Sequence, residues 1–496
     1  MSLSDKVKKA VRNFLEIKDP QGISINIEPL FDFEGETFRN ELWYRGDAKE
    51  LHQFYTSISD GLGDKHFWSS VPTKGMNIRK IHTGLPSLIV DVLTDVCTDD
   101  FLGVDVEGRQ EEWDEIAKEN KFRELLTECV SSVLYKGDGA FKFSYDKNIS
   151  DLPIIEFFPA ERVEYEYDRG RLTAVIFKTE KQFNGKKYIL KDKYTKEDIT
   201  FSLEDSDGKE CDMSAFSEIE KLQPVKNPDG FLPAVQVMFR KSQKHKGRGQ
   251  SVYNGKLDNF DALDEAWSQW MLAVRKGQIK NYIPKKFLPV NPYTGQIMSA
   301  NDFDNDFIEI EEDTAEGAKN QIQHTQGEIQ HEALLSTYVT ALDLCLQGII
   351  SPSTLGIDVK KLDNAEAQRE KEKTTLYSRN RIVNVLQEII PQVVISALKF
   401  KDGINKTVSE TEPEITVNFG GYANPSFEAQ VETVGKAVTN GIMSTEASVE
   451  ELYGDDKDED WKRKEIQRLK EEKGIAEMEE PAVNEDANTI GFGIDE

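Results

Sequence analysis

The spacing of apolar positions changes several times along the chain. Residues 84–97 (GLPSLIVDVLTDVC) carry an apolar run with few charges and predict a buried helix. Residues 112–135 predict further helices, with Leu125, Val130 and Val133 on the inner side. From 152 to 204 the period shortens. Ile154, Ile155 and Phe157 precede Pro159, and Val163, Tyr165 and Tyr167 alternate into an Asp168-Arg169-Gly170 turn. LTAVIFKTEKQF and KKYIL flank Asn184-Gly185, a strong short-range hairpin signal. Residues 232–240 predict one more strand.

Beyond residue 255 the pattern turns helical. Leu257, Phe260, Leu263, Trp267, Trp270, Met271 and Val274 recur at steps of three and four. They predict an amphipathic helix of roughly 20 residues and about 30 Å, closed at Gly277. Residues 279–327 break that period with Pro284, Pro289, Pro292 and Gly295 and an acidic run from Asp302 to Asp313. Leu335, Val339, Leu342, Leu346 and Ile349 then mark a second helix over 328–350. It should stop before Ser351-Pro352, because a residue preceding proline is pushed out of the helical region. A loop from Ser351 to Leu362 leads to a long helix predicted from Asp363 to Phe400, polar at first and then apolar from Ile382 to Ile390. Pro391 predicts a kink in it. Ile415 to Phe419 alternates as a strand. Three short helices follow: one capped by Asn424 and Pro425 and ending at Gly441, one from Ser444 to Gly454, and one from Asp458 to Lys473. The acidic tail, 476–496, predicts disorder. The fold class is therefore α+β, mixed in the first half and helical in the second.

Length and charge narrow the function classes. At 496 residues the chain has room for two to four domains, each with its own core. Its formal charge is −28, from 90 acids and 62 bases, so most of its surface repels phosphate. Cys97, Cys129, Cys211 and Cys345 are far apart with no CxxC pair, which predicts reduced thiols rather than a disulfide or zinc scaffold. The N-terminal MSLSDKVKKAVRNFLEI is basic and amphipathic and lacks the apolar core of a signal peptide. No apolar run approaches the ~20 residues of a membrane span. The expected location is a cytoplasm, or a particle assembled there.

Enzyme signatures are missing. There is no GxxxxGK[ST], no GxSxG and no HExxH. His324 and His331 could share a helix face, but nothing gives them a metal or catalytic task. Asp302, Asp304, Asp306 and Asp313 have the spacing of a calcium loop. Phe307 stands where that loop needs glycine, and its closing residue is Asp rather than Glu, so a solvated acidic loop is the better expectation. No catalytic residue, metal or cofactor is expected. Basic residues gather in three places: Lys241, Lys244, Lys246 and Arg248; then Arg275, Lys276, Lys280, Lys285 and Lys286; then Lys360, Lys361, Arg369, Lys371 and Lys373. The plain reading of each is a solvated face. The second, however, sits at the mouth of the proline-rich insert, and the third flanks the loop before the long helix.

The segment GRGQSVYNGKLDNFDALDEAWSQWMLAVR (247–275) resembles the start of the stem in bacteriophage portal proteins, through Gly249, Ser251, Asp261, Ala262, Leu263, Glu265 and Ser268. KIHTGLPSLIVDVLTDVCTDDFLGVDV (80–106), LYKGDGAFKFSYD (134–146) and FFPAERVEYEYD (157–168) look like successive wing segments of that family. SPSTLG (351–356) and NAEAQREKEKTTLYSRN (364–380) look like its tunnel loop and the helix after it. The pieces fall in family order over residues 70–455, most nearly in the manner of long-tailed phages of Gram-positive hosts. The resemblance implies a portal architecture: a mixed α/β wing at 1–255, stem helices at 256–278 and 328–350, and a small α/β clip at 279–327 between them. It further implies a tunnel loop at 351–362, a channel-to-wing helix and strand at 363–423, and a helical crown at 424–475.

It also implies a homo-oligomeric ring, commonly of about twelve copies, at a capsid vertex. Such a ring conducts double-stranded DNA non-specifically during packaging and ejection. The implied partners are the large terminase subunit, a head-tail adaptor, the major capsid protein and a scaffold protein, with no membrane. The implied location is the virion, after assembly in host cytoplasm. Lys360, Lys361, Arg369 and Lys373 become candidates to face DNA, and Lys280, Lys285 and Lys286 candidates to dock partners at the clip. Leu263, Trp267, Trp270, Leu335, Val339 and Leu342 are the stem-packing candidates, with their stripes expected between neighbouring copies. Asp258, Asp261 and Glu265 should share the polar face of the first stem helix. A different head-tail connector, a minor head protein and a metal-dependent nuclease are the competing readings. Ring stoichiometry would test the first two, and plasmid nicking with magnesium the last.

Overall fold

The computed structural model describes residues 32–472 except 63–65, 71–77, 184, 207, 217–218, 220–221, 228–229, 279, 285–289, 296–306, 311–322, 358–364, 406–411, 421–426 and 454–458. The chain forms two compact units, 1–420 and 421–496. The architecture is mixed α+β.

Unit 1 opens with two helices not among those expected from sequence, α1 (Phe33–Arg45) and α2 (Ala48–Leu62), although α2 carries a helical stripe at Leu51, Phe54, Tyr55 and Ile58. The inner face of α1 carries Gly35, Thr37 and Asn40 beside Leu42 and Trp43, so burial there leaves almost no apolar periodicity. Helix α3 (Leu85–Thr98) starts on Pro86 and buries Ile89, Val90, Leu93 and Cys97 completely, as its run predicts. Strand β1 (Phe101–Val106) follows, then α4 (Gln110–Glu119) and α5 (Phe122–Lys136). The break between those two helices falls at Lys121, whose φ is 48°. There the Asn120 side chain donates to the carbonyls of Ile116 and Pro153 and accepts from the amide of Ile155.

Two sheets complete the body. In the first, β2 (Asp138–Ser144) lies between β3 (Ile154–Pro159) and β10 (Ala234–Met238), antiparallel to both. The second runs β4 (Val163–Asp168), β5 (Arg171–Phe183), β6 (Lys186–Thr195), β7 (Asp198–Asp205) and β8 (Glu210–Cys211), with β9 (Val225–Lys226) also on β7. The expected turns join its strands. Arg169 and Gly170 have φ of 47° and 80°, the left-handed pair whose twist matches a two-residue hairpin.

Helix α6 (Leu257–Lys276) then leaves the body, and three short strands follow: β11 (Lys280–Pro284), β12 (Phe307–Ile310) and β13 (Gln323–Thr325). β11 is central, parallel to β12 and antiparallel to β13. Among the described residues of 279–327 there are strands and no helix. Helix α7 (His331–Leu346) returns, shorter than the span expected from sequence, because the chain turns at Gly348, whose φ is 77°. Helix α8 (Ala365–Asn405) has 41 residues and continues through Pro391 as one helix. Its stretch Lys373–Ile404 is long and apolar enough to cross a membrane, yet 56% of its most apolar window is buried within the chain. Val393, Val394, Ala397 and Leu398 put that apolar side into the core. Strand β14 (Ile415–Phe419) closes the unit by pairing antiparallel with β1.

Unit 2 holds α9 (Phe427–Thr439), α10 (Thr445–Tyr453) and α11 (Glu459–Glu472). Gly441, with φ of 70°, ends α9, and the Ser444 hydroxyl accepts the amide of Ala447 at the start of α10. Tyr453 and Trp461 pack edge to face, 5.0 Å between centroids, where α10 meets α11. The expected Asn424-Pro425 cap and the acidic tail lie outside the described residues.

One backbone crossing fixes where α6 begins. Gly137, at the end of α5, has φ of 107°, and Gly249 passes directly against it. A Cβ on Gly249 would collide with the carbonyl oxygen of Gly137. The Gly249 amide instead donates to Asp138, 2.7 Å away. We expect Gly249→Ala to destabilise unit 1 by about 2–3 kcal/mol, since backbone rather than a side-chain tip must give way. A urea midpoint within error of wild type would contradict this crossing.

Candidate functional site

The candidate site is the rod pair α6 and α7, the strands they carry, and the loop that follows. The two helices are pinned at their base, middle and far end. At the base, Lys256 Nζ and Asn259 Nδ2 donate to the Leu344 carbonyl at 2.7 and 3.2 Å. These bonds satisfy a carbonyl in the last turn of α7, which has no partner inside its own helix, and they bring the start of α6 to the end of α7. At mid-height Tyr338 lies between Trp267 and Trp270, with centroid distances of 5.5 and 6.1 Å. At the far end a Cβ on Gly277 would collide with Ile329. Gly277 is therefore needed for close approach of the returning chain.

Of the stem-packing candidates, Leu263 and Leu342 are buried in the core, while Trp267, Trp270 and Val339 are half-buried. Leu335 stays 48% exposed. Within one chain the two apolar stripes thus meet each other, which differs from their expected position between copies. Val274, Leu335 and Leu344 are the large apolar side chains these rods leave exposed.

The base of α6 carries two carboxylates on its buried side. Asp261 is 8% exposed and Asp264 fully buried. The expectation that Asp261 shares a solvated face with Asp258 and Glu265 is therefore corrected. Asp264 Oδ1 accepts the amide and hydroxyl of Thr83, both at 2.9 Å, and Oδ2 lies 2.7 Å from His82 Nδ1 and 3.2 Å from Trp68 Nε1. Asp261 accepts the amides of Phe67 and Trp68 at 2.8 and 3.3 Å. Ser268 accepts the amide of Ile81 at 2.9 Å. One face of α6 thereby ties down segments 66–70 and 78–84. Burial pushes the Asp261 carboxyl above the usual range, despite two amides that favour its charged form. Burial also pulls the nearby Lys80 amine down to about 8. Its Nζ donates to the Trp68 carbonyl at 2.6 Å.

The loop after α7 is clamped where it starts. The Ser351 amide donates to Thr375 Oγ1 at 2.9 Å, Thr354 and Thr375 share a hydroxyl bond at 2.9 Å, and Ser378 donates to the Ile349 carbonyl at 2.6 Å. Thr375 is fully buried. One turn on, Arg379 donates to Asp100 and to the Val96 and Gly420 carbonyls, locking α8 to α3 and β14. These polar residues of the "polar half" of α8 are structural.

The basic candidates separate. Lys285, Lys286, Lys360 and Lys361 lie outside the described residues, as does most of the acidic calcium-like run. Lys280 is placed on β11 and Arg369 on α8 by their backbone. Lys373 is exposed on α8, two residues before the clamping Thr375. In the first cluster Arg248 is not a solvated cation. It donates to Asp138 and to the carbonyls of Val163 and Ala160, with its guanidinium 3.9 Å from the centre of the Phe33 ring. Lys244 pairs with Glu36. Among the described residues no group of three or more His, Cys, Asp or Glu is placed to hold a metal ion. Sequence reading missed Asp264, Tyr338, Thr375 and Arg379. For Asp264 a signal existed: a carboxylate inside the apolar stripe of Phe260, Leu263 and Trp267 must be buried with partners.

No family model and no curated protein matches the chain. Among the solved chains similar in structure are three from gene transfer agent particles. One is from the virion of a native gene transfer agent particle, at 13% identity and a TM-score of 0.37, covering 84% of this chain and 98% of that one. A second is from the neck of an empty gene transfer agent particle computed with C6 symmetry, at 11% identity and a TM-score of 0.40, covering 80% and 96%. The third is from the neck of a native gene transfer agent particle computed with C12 symmetry, at 11% identity and a TM-score of 0.36, covering 76% and 92%.

Proposed function

We propose that this chain is a portal subunit: a wing body, a two-helix stem, a clip of short strands, and a loop set on a long helix. Copies stand side by side as a ring at a capsid vertex and conduct DNA. The observation that carries the reading is the triple pinning of α6 to α7. It turns two amphipathic helices into one stiff rod that holds a small sheet away from the body. A rod, a knob and a clamped loop are the parts a conduit needs. The reading gives the chain no catalytic step.

Charge supports it. A conduit must hold DNA without gripping it, because tight phosphate contacts release counterions and fix the duplex in place. At −28 per chain the assembled wall repels phosphate. A few lysines close to the clamped loop, Lys373 on α8 and Lys360 and Lys361 before it, centre the duplex while it slides. The clip, with Lys280, Lys285 and Lys286, docks the packaging motor during filling and a head-tail adaptor afterwards.

The test is negative-stain imaging of the purified protein. Annular particles with an axial channel are expected, and a monomer under every condition and also in the particle would overturn the reading. Replacing both Lys360 and Lys361 with glutamate should reduce DNA retention in filled particles, read as packaged genome per particle. Unchanged packaging and retention would remove the role given to these lysines.

A further inference from the structure

Three buried or half-buried arginines of unit 1 have carboxylate partners. Arg109 pairs with Glu112 and Asp402, Arg248 with Asp138, and Arg379 with Asp100. Half-buried Arg240, which follows β10, and exposed Arg381 on α8 have none among the described residues. Both line one small cavity, with Ser378 and Gln250 beside them and Leu93, Ile349 and Ile382 as its apolar wall. The cavity holds about 20 Å³, room for one water-sized group. Among the described residues neither guanidinium has a carboxylate within ion-pairing distance. Burial, and then the Arg381 charge beside it, hold Arg240 below the usual arginine range. Two like charges in a half-buried cleft repel one another. A chain with 90 acids leaves this repulsion uncompensated at a place where its own fold supplies apolar walls and two forked donors.

We propose that Arg240 and Arg381 form a receptor for an Asp or Glu side chain of a second copy of this chain. The inference rests on the ring reading above and adds a specific contact to it. An oxyanion answers two guanidiniums because each can offer it parallel N–H donors. The apolar wall favours a carboxylate on a short aliphatic stem, one of whose oxygens takes the water-sized space. A duplex phosphate comes with a bulky hydrated backbone that could not follow it inside. Charge complementarity points to a second copy. Chains of −28 repel one another as a whole, so side-by-side assembly needs local cationic sockets that carboxylates of the neighbour can fill.

The test compares the full-length wild type with Arg240→Ala, Arg381→Ala and Arg381→Glu by mass photometry across a dilution series. The thermal midpoint of the dissociated chain and its affinity for a short duplex are measured in parallel. Each alanine variant should raise the concentration at half-dissociation of the ring by about tenfold or more, and Arg381→Glu further. The dissociated chain should keep or raise its midpoint, because a repulsion has been removed. Rings of unchanged stability in Arg381→Glu would overturn the proposal. A fall in the chain's own midpoint that matches the ring loss would also overturn it, as a fold defect. Weakened duplex binding with intact rings would reassign the site to nucleic acid. If wild type forms no ring at all, it is the ring reading that falls. Acetate then judges the socket: a higher midpoint in acetate than in chloride, abolished in Arg240→Ala, keeps a carboxylate site, and equal midpoints remove it.

Discussion

Replacing Asp264 with alanine should cost unit 1 roughly 3–5 kcal/mol, among the largest effects of any single side chain in the rod region. Asp264 is fully buried, and four donors converge on its two oxygens: the Thr83 amide, the Thr83 hydroxyl, His82 Nδ1 and Trp68 Nε1. Alanine leaves all four facing an apolar gap. The backbone amide cannot turn away, and an unpaired buried donor costs about 1–3 kcal/mol. Asparagine should recover part of the loss. Its oxygen can serve Thr83, but its amide nitrogen must then face His82 and Trp68, which already offer hydrogens. Urea unfolding followed by tryptophan fluorescence reads both variants. An alanine variant within about 1 kcal/mol of wild type would mean that this network does not anchor α6.

That network also shows why the sequence is legible in parts. The long elements announce themselves by period. The stripe from Leu257 to Val274 can only be a helix with one wet face, and the Arg169-Gly170 and Asn184-Gly185 turns can only join antiparallel strands of one sheet. Helix α1 has no such stripe. Three of its five buried positions, Gly35, Thr37 and Asn40, suit close packing and hydrogen bonding, and composition does not distinguish them from a loop. Strand β1 is invisible for a different reason. Its partner β14 lies near the other end of unit 1, and a pairing of that separation leaves no local mark. The candidate site divides the same way. Leu263 and Leu342 follow from periodicity. The partners of Asp261 and Asp264 depend on segments 66–70 and 78–84 arriving at the base of α6, which is a tertiary fact. The same holds for Arg248, which reads as surface charge in sequence and lies between Phe33 and Asp138 in the fold.

Trp267→Asp should abolish ring formation while leaving the wing folded. Trp267 is half-buried, 5.8 Å from Trp270 and 5.5 Å from Tyr338, so it is the middle pin of the rod pair. A carboxylate there faces the negative ring faces of two aromatics and loses hydration. The end pins, Lys256 and Asn259 on the Leu344 carbonyl and Gly277 against Ile329, remain. The helices should therefore stay attached at both ends and bow apart between them, at a loss of about 2–3 kcal/mol of pairing. A ring repeats one geometry around its circumference, so a small splay in each rod accumulates until the circle cannot close. Trp267→Phe keeps an apolar ring in place and should still assemble. Circular dichroism near that of wild type, together with loss of annular particles in Trp267→Asp alone, is the expected pair of results. Normal rings in the aspartate variant would show that the spacing of α6 and α7 does not set the assembly, and the stem would then have to close through its exposed face at Val274, Leu335 and Leu344.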